Sequence, residues 1–199
     1  IEPEMGPLTT GLGRILHYIV EGKGFSNMEL RTIQDWLIKP QLRTVPGVTE
    51  VVSMGGDEKQ YEVLVHPDSL FKHNLTLNQV FEALQKNNLN AGGNLIEKGS
   101  EEYLVRGVGV ARSTDDIGNI VIATHSGTPI YVKNVAEVTV GPAFRRVATV
   151  AEDRGEVVEG IVLKLNGENT KKVIERVREK IKAISASLPK GVAIKPYYD

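Results

Sequence analysis

Residues 12–55 read LGRILHYIVEGKGFSNMELRTIQDWLIKPQLRTVPGVTEVVSMG, and they divide into a strand, a helix and a second strand. Residues 12–21 are mostly apolar and rich in β-formers, which predicts a strand that Gly22 and Gly24 end. Ser26 followed by Glu29 is a capping box, so a helix starts there. Met28, Leu30, Ile33, Leu37 and Ile38 supply its apolar stripe, with Trp36 beside it. Pro40 is expected to kink or break this helix one turn before Leu42. Val45-Pro46-Gly47-Val48 closes it, and residues 49–55, TEVVSMG, read as the next strand.

The last quarter repeats this β-α-β plan. Residues 159–165 form a strand, Gly167 turns, and Asn169 or Thr170 caps a long helix. Val173, Ile174, Val177, Ile181, Ile184 and Leu188 recur every three or four positions and mark one buried face. Pro189-Lys190-Gly191 stops the helix, and VAIKPYY closes the unit as a strand. Two such units make a four-stranded antiparallel sheet with both helices on one face, the ferredoxin-like plan. Because the halves stand far apart in sequence, the expected fold class is α+β. It is a split ferredoxin-like subdomain over residues 1–60 and 142–199, with an inserted α+β module over residues 61–141.

The insert carries its own elements. Residues 60–65 read as a strand, 67–71 as a helical turn and 76–86 as a helix capped by Thr76 and Gln79, with Val80, Phe81 and Leu84 on its apolar face. Ser113 and Asp116 cap another short helical turn. Strands at residues 119–123 and 128–132 pair across His125-Ser126-Gly127, and residues 137–140 form a last strand before Gly141-Pro142. Between these elements lies residues 87–102, NNLNAGGNLIEKGSEE, followed by an alternating strand over 103–108. Asn87, Asn88 and Asn90 resist helix continuation, and Gly92-Gly93 permits unusual backbone angles. The excursion holds too few large apolar residues to pack on its own module. A loop of this length reads as an arm reaching a partner, or else as the tip of a hairpin.

The totals exclude several functions. Lys+Arg 24 against Asp+Glu 25 gives a formal charge of -1 with the signs interspersed, which argues against a nucleic-acid partner. With no Cys there is no disulfide, zinc-thiolate site or Cys nucleophile. No apolar run approaches the ~20 residues that cross a bilayer. The opening IEPEMGPLTT has neither the basic region nor the apolar core of a signal peptide. A start without Met and an end directly after a strand predict a piece of something longer.

Catalytic chemistry is scarce. His17, His66, His73 and His125 lack the spacing of metal ligands. His66 and Asp68 flank Pro67 and are the best candidate ligand pair, though that pattern also simply begins a helical turn. Asp57-Glu58 reads as a solvated turn. Gly11 and Gly13 precede a strand instead of following one, so they are no dinucleotide fingerprint, and no G-x-S-x-G elbow or phosphate loop occurs. Met5, Met28 and Met54 lie far apart, and Met28 and Met54 read as packing residues. The residues alone describe a non-enzymatic chain without a cofactor.

Several stretches, taken together and in order, resemble one family: PEMGPLTTGLG, MELRTIQDWLIKPQLRTVPGVTEV, KQYEVLV, LQKNNLNAGG, EYLVRGVG, DIGNIVIA and TPIYVKNVAEVTVGPAFRR. The chain is similar throughout to the heavy-metal efflux branch of the resistance–nodulation–division transporters, the cobalt–zinc–cadmium and copper–silver pump type. The resemblance implies a periplasmic segment of a bacterial inner-membrane protein. It implies a second N-terminal porter subdomain over residues 1–60 and 142–199 and an N-terminal docking subdomain over 61–141. It implies a proton-driven homotrimer that exports a metal cation through a periplasmic adaptor and an outer-membrane channel. In that family the docking subdomain sends a hairpin into the next protomer, which favours the arm reading. Asn87, Asn88, Asn90, Gly92, Gly93, Ile96, Glu97 and Glu102 are then its protomer-interface residues.

The resemblance places the proton-relay residues and the main metal site outside this chain. Phe144 in PAFRR, where the resemblance implies Met for the copper–silver type, tilts the expected cargo towards zinc, cobalt or cadmium. The isolated chain is expected to be monomeric and to bind transition metals weakly or not at all. Should one tight site appear, His66 and Asp68 are the first suspects. Two other readings stand beside this one: a multidrug-type pump of the same superfamily exporting organic compounds, and a soluble ferredoxin-like binding or assembly module.

Overall fold

The computed structural model describes the backbone of residues 13–88, 95–98, 101–104, 110–125, 127–145, 148–151 and 154–198, and the side chains of these except 95–98 and 101–104. It is a mixed helix-and-strand protein that divides into two compact units. One comprises residues 1–59 and 142–199, and the other residues 60–141.

In the larger unit, β1 (Arg14–Gly22), β2 (Val48–Met54), β11 (Val158–Lys164) and β12 (Val192–Tyr198) form one sheet in the order β12-β1-β11-β2. Every neighbouring pair is antiparallel. The helical layer is α1 (Asn27–Ile33), a π-helical turn (Gln34–Ile38), α2 (Lys39–Arg43) and α7 (Thr170–Ser185). The sheet and this layer enclose one core. Leu16, Tyr18, Val20, Val51, Val158 and Val162 meet Leu30, Ile38, Leu42, Val173, Val177 and Ile184 there, all buried. Asn169 caps α7 by accepting from the Lys172 N–H. Pro196 sits in β12, an edge strand, where a missing N–H costs least.

Pro40 does not break the first helix. The chain widens into the π turn before it, and the Lys39 N–H reaches back to the Gln34 carbonyl, five residues away. A wider turn makes room for the proline ring, which in a regular α-helix would strike the carbonyl four residues earlier. The same widening alters which residues face inward. Gln34 is fully buried, whereas Trp36 is 82% exposed. Gln34 is satisfied there: it accepts from the Tyr18 hydroxyl at 3.0 Å and donates to Ser53 Oγ at 3.2 Å. Ser53 donates to Asp35, and Asp35 also accepts from Arg31 Nε at 2.6 Å.

Gly160 is required where β11 passes Tyr18. A Cβ at that position would lie 2.1 Å from the ring, so no larger residue fits without displacing it. A short hairpin of β9 (Val150–Ala151) and β10 (Gly155–Glu156) precedes β11. Sequence periodicity does not reveal strands of two residues.

The smaller unit holds β3 (Lys59–Val65) beside β8 (Ala136–Pro142), and β6 (Val121–His125) beside β7 (Thr128–Tyr131). Its helices are α3 (Pro67–Lys72), α4 (Leu77–Lys86), α5 (Thr114–Gly118) and α6 (Val132–Val135). The Thr76–Gln79 and Ser113–Asp116 capping boxes both form. Leu75, Val80, Ala83, Ile120, Ile130, Val132, Val135 and Ala136 form its buried apolar clusters. Of the expected face Val80, Phe81 and Leu84, Val80 is buried and Leu84 packs against the core together with Ala83, whereas Phe81 is 56% exposed. The remaining pair, β4 (Leu95–Lys98) and β5 (Glu101–Leu104), forms an antiparallel hairpin.

Candidate functional site

The excursion after α4 is tied at its base. Asn87 ends the helix, and its side-chain N–H donates to the Ala83 carbonyl at 2.8 Å. Asn88 Oδ1 accepts from the backbone N–H of Ala111 at 3.0 Å, joining the two ends of the excursion. These two asparagines therefore act in place, in the side chain-to-backbone manner that suits Asn outside regular structure. Beyond them Asn90, Gly92 and Gly93 lie outside the described residues. Ile96, Glu97 and Glu102 lie on the hairpin, where Ile96 is opposite Tyr103 and Glu97 opposite Glu102. Residues 105–108 of the expected alternating strand fall outside the described residues, and β5 covers Glu101–Leu104.

His66 and Asp68 are both exposed at the start of α3. The His66 backbone N–H donates to the Val135 carbonyl at 2.8 Å, so this residue is anchored by its main chain. Among the described residues no group of three or more His, Cys, Asp and Glu side chains is placed to hold a metal ion.

A second cluster lies in the larger unit, on strands whose sequence did not announce it. Glu159 of β11 is only 6% exposed. His17 Nδ1 lies 2.7 Å from Glu159 Oε1 and 3.4 Å from the Tyr197 hydroxyl, and that hydroxyl donates to the same carboxylate oxygen. A register shift builds this arrangement. His17 pairs with Tyr198 but Tyr18 pairs with Pro196, which leaves Tyr197 as an extra residue in β12. Such a bulge re-aims side chains, and both tyrosines meet the imidazole edge to face, with ring centroids 5.9 and 5.3 Å away. Burial, followed by the hydrogen bond to Glu159 and that carboxylate's charge, pushes the Tyr197 phenol up to about 12. The phenol therefore keeps its proton and serves as a donor.

Tyr197 also lines a groove of about 430 Å³ with Ile19, Thr149, Val157, Arg154 and Lys195. Arg154 and Lys195 both pair with Glu21, the latter at 2.6 Å. The signal for the cluster was a lone Glu inside the apolar run VVEGIVL, in a strand buried on both faces. Its partners, His17 and Tyr197, come from the opposite ends of the sequence, so no local spacing could connect them.

Comparison with known proteins places this geometry in a wider setting. The family model described as the AcrB/AcrD/AcrF family matches residues 1–199. Protein HelA of Legionella pneumophila is 46% identical over 96% of the chain, which covers 19% of HelA. The cobalt-zinc-cadmium resistance protein CzcA of Cupriavidus metallidurans is 43% identical over the full chain and 20% of its own length. Among solved structures, crystal form II of a heavy metal efflux pump superposes with a TM-score of 0.82 at 36% identity, covering 98% of this chain and 19% of that one. The chain thus spans about a fifth of the length of these relatives. Among the described residues, no helix is long and apolar enough to cross a membrane.

Proposed function

Given that this chain belongs to the AcrB/AcrD/AcrF family, we propose that it is a periplasmic segment of a proton-driven pump exporting heavy-metal cations. The observation carrying this reading is the match, across the whole chain, to proteins named for metal resistance and cation efflux. It is a transport role and not an enzymatic one.

In this reading the larger unit is the second N-terminal porter subdomain, with a split ferredoxin-like fold. Its strand order β12-β1-β11-β2 and wholly antiparallel pairing suit that plan. The smaller unit is the docking subdomain. Its β4–β5 hairpin, tied at the base by Asn88, is the arm that enters a neighbouring protomer of a homotrimer. A periplasmic adaptor and an outer-membrane channel complete the path. Phe144, 89% exposed, offers no thioether, which favours zinc, cobalt or cadmium as cargo over copper or silver.

The test is metal tolerance. A metal-sensitive bacterial strain expressing the full-length protein is expected to gain resistance to zinc, cobalt or cadmium, and to lose it when residues 95–104 are deleted. Resistance gained only to organic dyes would favour the multidrug reading instead.

A further inference from the structure

We propose that Asn166–Gly167 is a site of spontaneous covalent modification, where Asn166 loses its side-chain nitrogen as ammonia through a succinimide and becomes aspartate or isoaspartate. The pair lies in the larger unit, in the turn between β11 and α7. The inference does not depend on the pump reading.

The sequence supplies the reactants. Asparagine is thermally labile, because its side-chain amide carbon lies within ring-closing reach of the next backbone nitrogen. The following residue decides whether that nitrogen is accessible. Gly167 has no side chain to cover it, and this is the one place in the sequence where Asn precedes Gly. Both residues are exposed.

The fold leaves the pair unheld. Glu168 donates its N–H to the Leu165 carbonyl at 3.3 Å, Gly167 has a φ of +86°, and the φ of Asn166 is not positive. This is a type II turn with Asn166 and Gly167 at its centre. Among the described residues, no hydrogen bond holds the Asn166 side chain or the Gly167 N–H. Other asparagines differ. Asn169 accepts from the Lys172 N–H, Asn87 donates to the Ala83 carbonyl, Asn119 accepts from Lys133, and Asn134 accepts from the Tyr131 N–H. A side chain held in this way is kept from the nitrogen that follows it.

A type II turn points the Gly167 nitrogen away from the Asn166 side chain, so ring closure needs the peptide between them to rotate. Rotation of that one peptide is what interconverts turns of types II and I. Glycine accepts either sign of φ, and no atom lies within 4 Å of the carbon that a side chain would add there. The ends of the turn stay fixed meanwhile. The Leu165 N–H donates to the Gly47 carbonyl at 2.8 Å, and Asn169 caps α7.

The steps need only water and hydroxide. Hydroxide takes the Gly167 N–H proton, the nitrogen bonds to Asn166 Cγ, the Cγ–Nδ2 bond breaks, and ammonia leaves with a proton from water. Water then opens the imide. Cleavage of the new Cγ–N bond gives aspartate. Cleavage of the original bond to the Asn166 main-chain carbonyl carbon gives isoaspartate, whose backbone runs through Cβ and Cγ. Either product adds a negative charge to the turn, and isoaspartate also lengthens the link between β11 and α7.

The experiment ages the folded chain at mildly alkaline pH, digests it with trypsin and fragments the peptide 165–171, LNGENTK, which carries Asn166 and Asn169 together. Relative to an unaged sample, the mass gain of amide-to-acid conversion is expected at Asn166 and not at Asn169. A methyltransferase specific for isoaspartate is expected to label the aged chain. Gly167→Ala should slow the gain by at least about tenfold, because its methyl group shields the nitrogen and restricts the backbone. Asn166→Gln, which would have to close a larger ring, should abolish it. Asn166 intact in the aged folded chain would overturn the proposal, most plainly if the same chain aged in urea is modified there. So would conversion of Asn169 at an equal rate.

Discussion

The imidazole Nδ1 of His17 lies 2.7 Å from Oε1 of Glu159, 142 residues further along the chain. The contact joins the first strand of the four-stranded sheet to its third in chain order, across the antiparallel pair β1–β11. Its two halves sit in the two β-α-β repeats, so it can form only once the segments on either side of the smaller unit have met. Truncating the carboxylate leaves the imidazole and the Tyr197 hydroxyl without their shared acceptor. Glu159→Ala is therefore expected to cost about 1–3 kcal/mol in urea unfolding. Replacing both partners with Leu should cost less than Glu159→Ala alone, because the imidazole is no longer stranded and the hydroxyl of the exposed Tyr197 can turn to water. A double variant weaker than the single would contradict this.

Tyr197 gives the same cluster a signature at high pH. Its folded-state pKa is raised to about 12 from 10.0, so folding favours the protonated phenol. The stability this confers is complete below pH ~10 and is lost as pH climbs through 12. Thermal unfolding of Tyr197→Phe should accordingly decline less between pH 10 and 12 than that of the parent. Parallel curves would remove the Glu159–Tyr197 hydrogen bond from the account.

Gly160 is held by space. A methyl group there would fall 2.1 Å from the Tyr18 ring, which is itself fully buried and bonded to Gln34. Gly160→Ala is expected to destabilise by about 1–3 kcal/mol through overpacking. Gly167→Ala serves as a comparison: no atom lies within 4 Å of its added carbon, so any cost there comes from its φ of +86° alone. Equal urea midpoints for the parent and Gly160→Ala would mean that Tyr18 moves aside freely.

Much of the architecture was legible in the sequence because it rests on local patterns. Three capping boxes, Ser26–Glu29, Thr76–Gln79 and Ser113–Asp116, start helices where their spacing says they should. The Val173–Ile184 stripe faces the core as its period requires. What was not legible is non-local. Pro40 was expected to interrupt a helix, but a π turn accommodates it and the polar Gln34 of that turn lies in the core. That outcome depends on Tyr18 and Ser53 being there to satisfy the amide, which no window of sequence around residue 34 shows. Phe81 is assigned to a face whose inward residues are Val80, Ala83 and Leu84, and it stands exposed beside them. The His17–Glu159–Tyr197 cluster depends on a strand bulge, and a bulge shifts every later side chain by one position without leaving a mark in composition.

The central claim is that the whole protein moves metal cations at the expense of a proton gradient. The most direct measurement reconstitutes the full-length protein in liposomes and follows zinc with a fluorescent indicator after a pH gradient is imposed. The account predicts zinc flux that collapses when a protonophore dissipates the gradient. Zinc flux indifferent to the gradient, or flux of an organic dye with none of zinc, cobalt or cadmium, would contradict it.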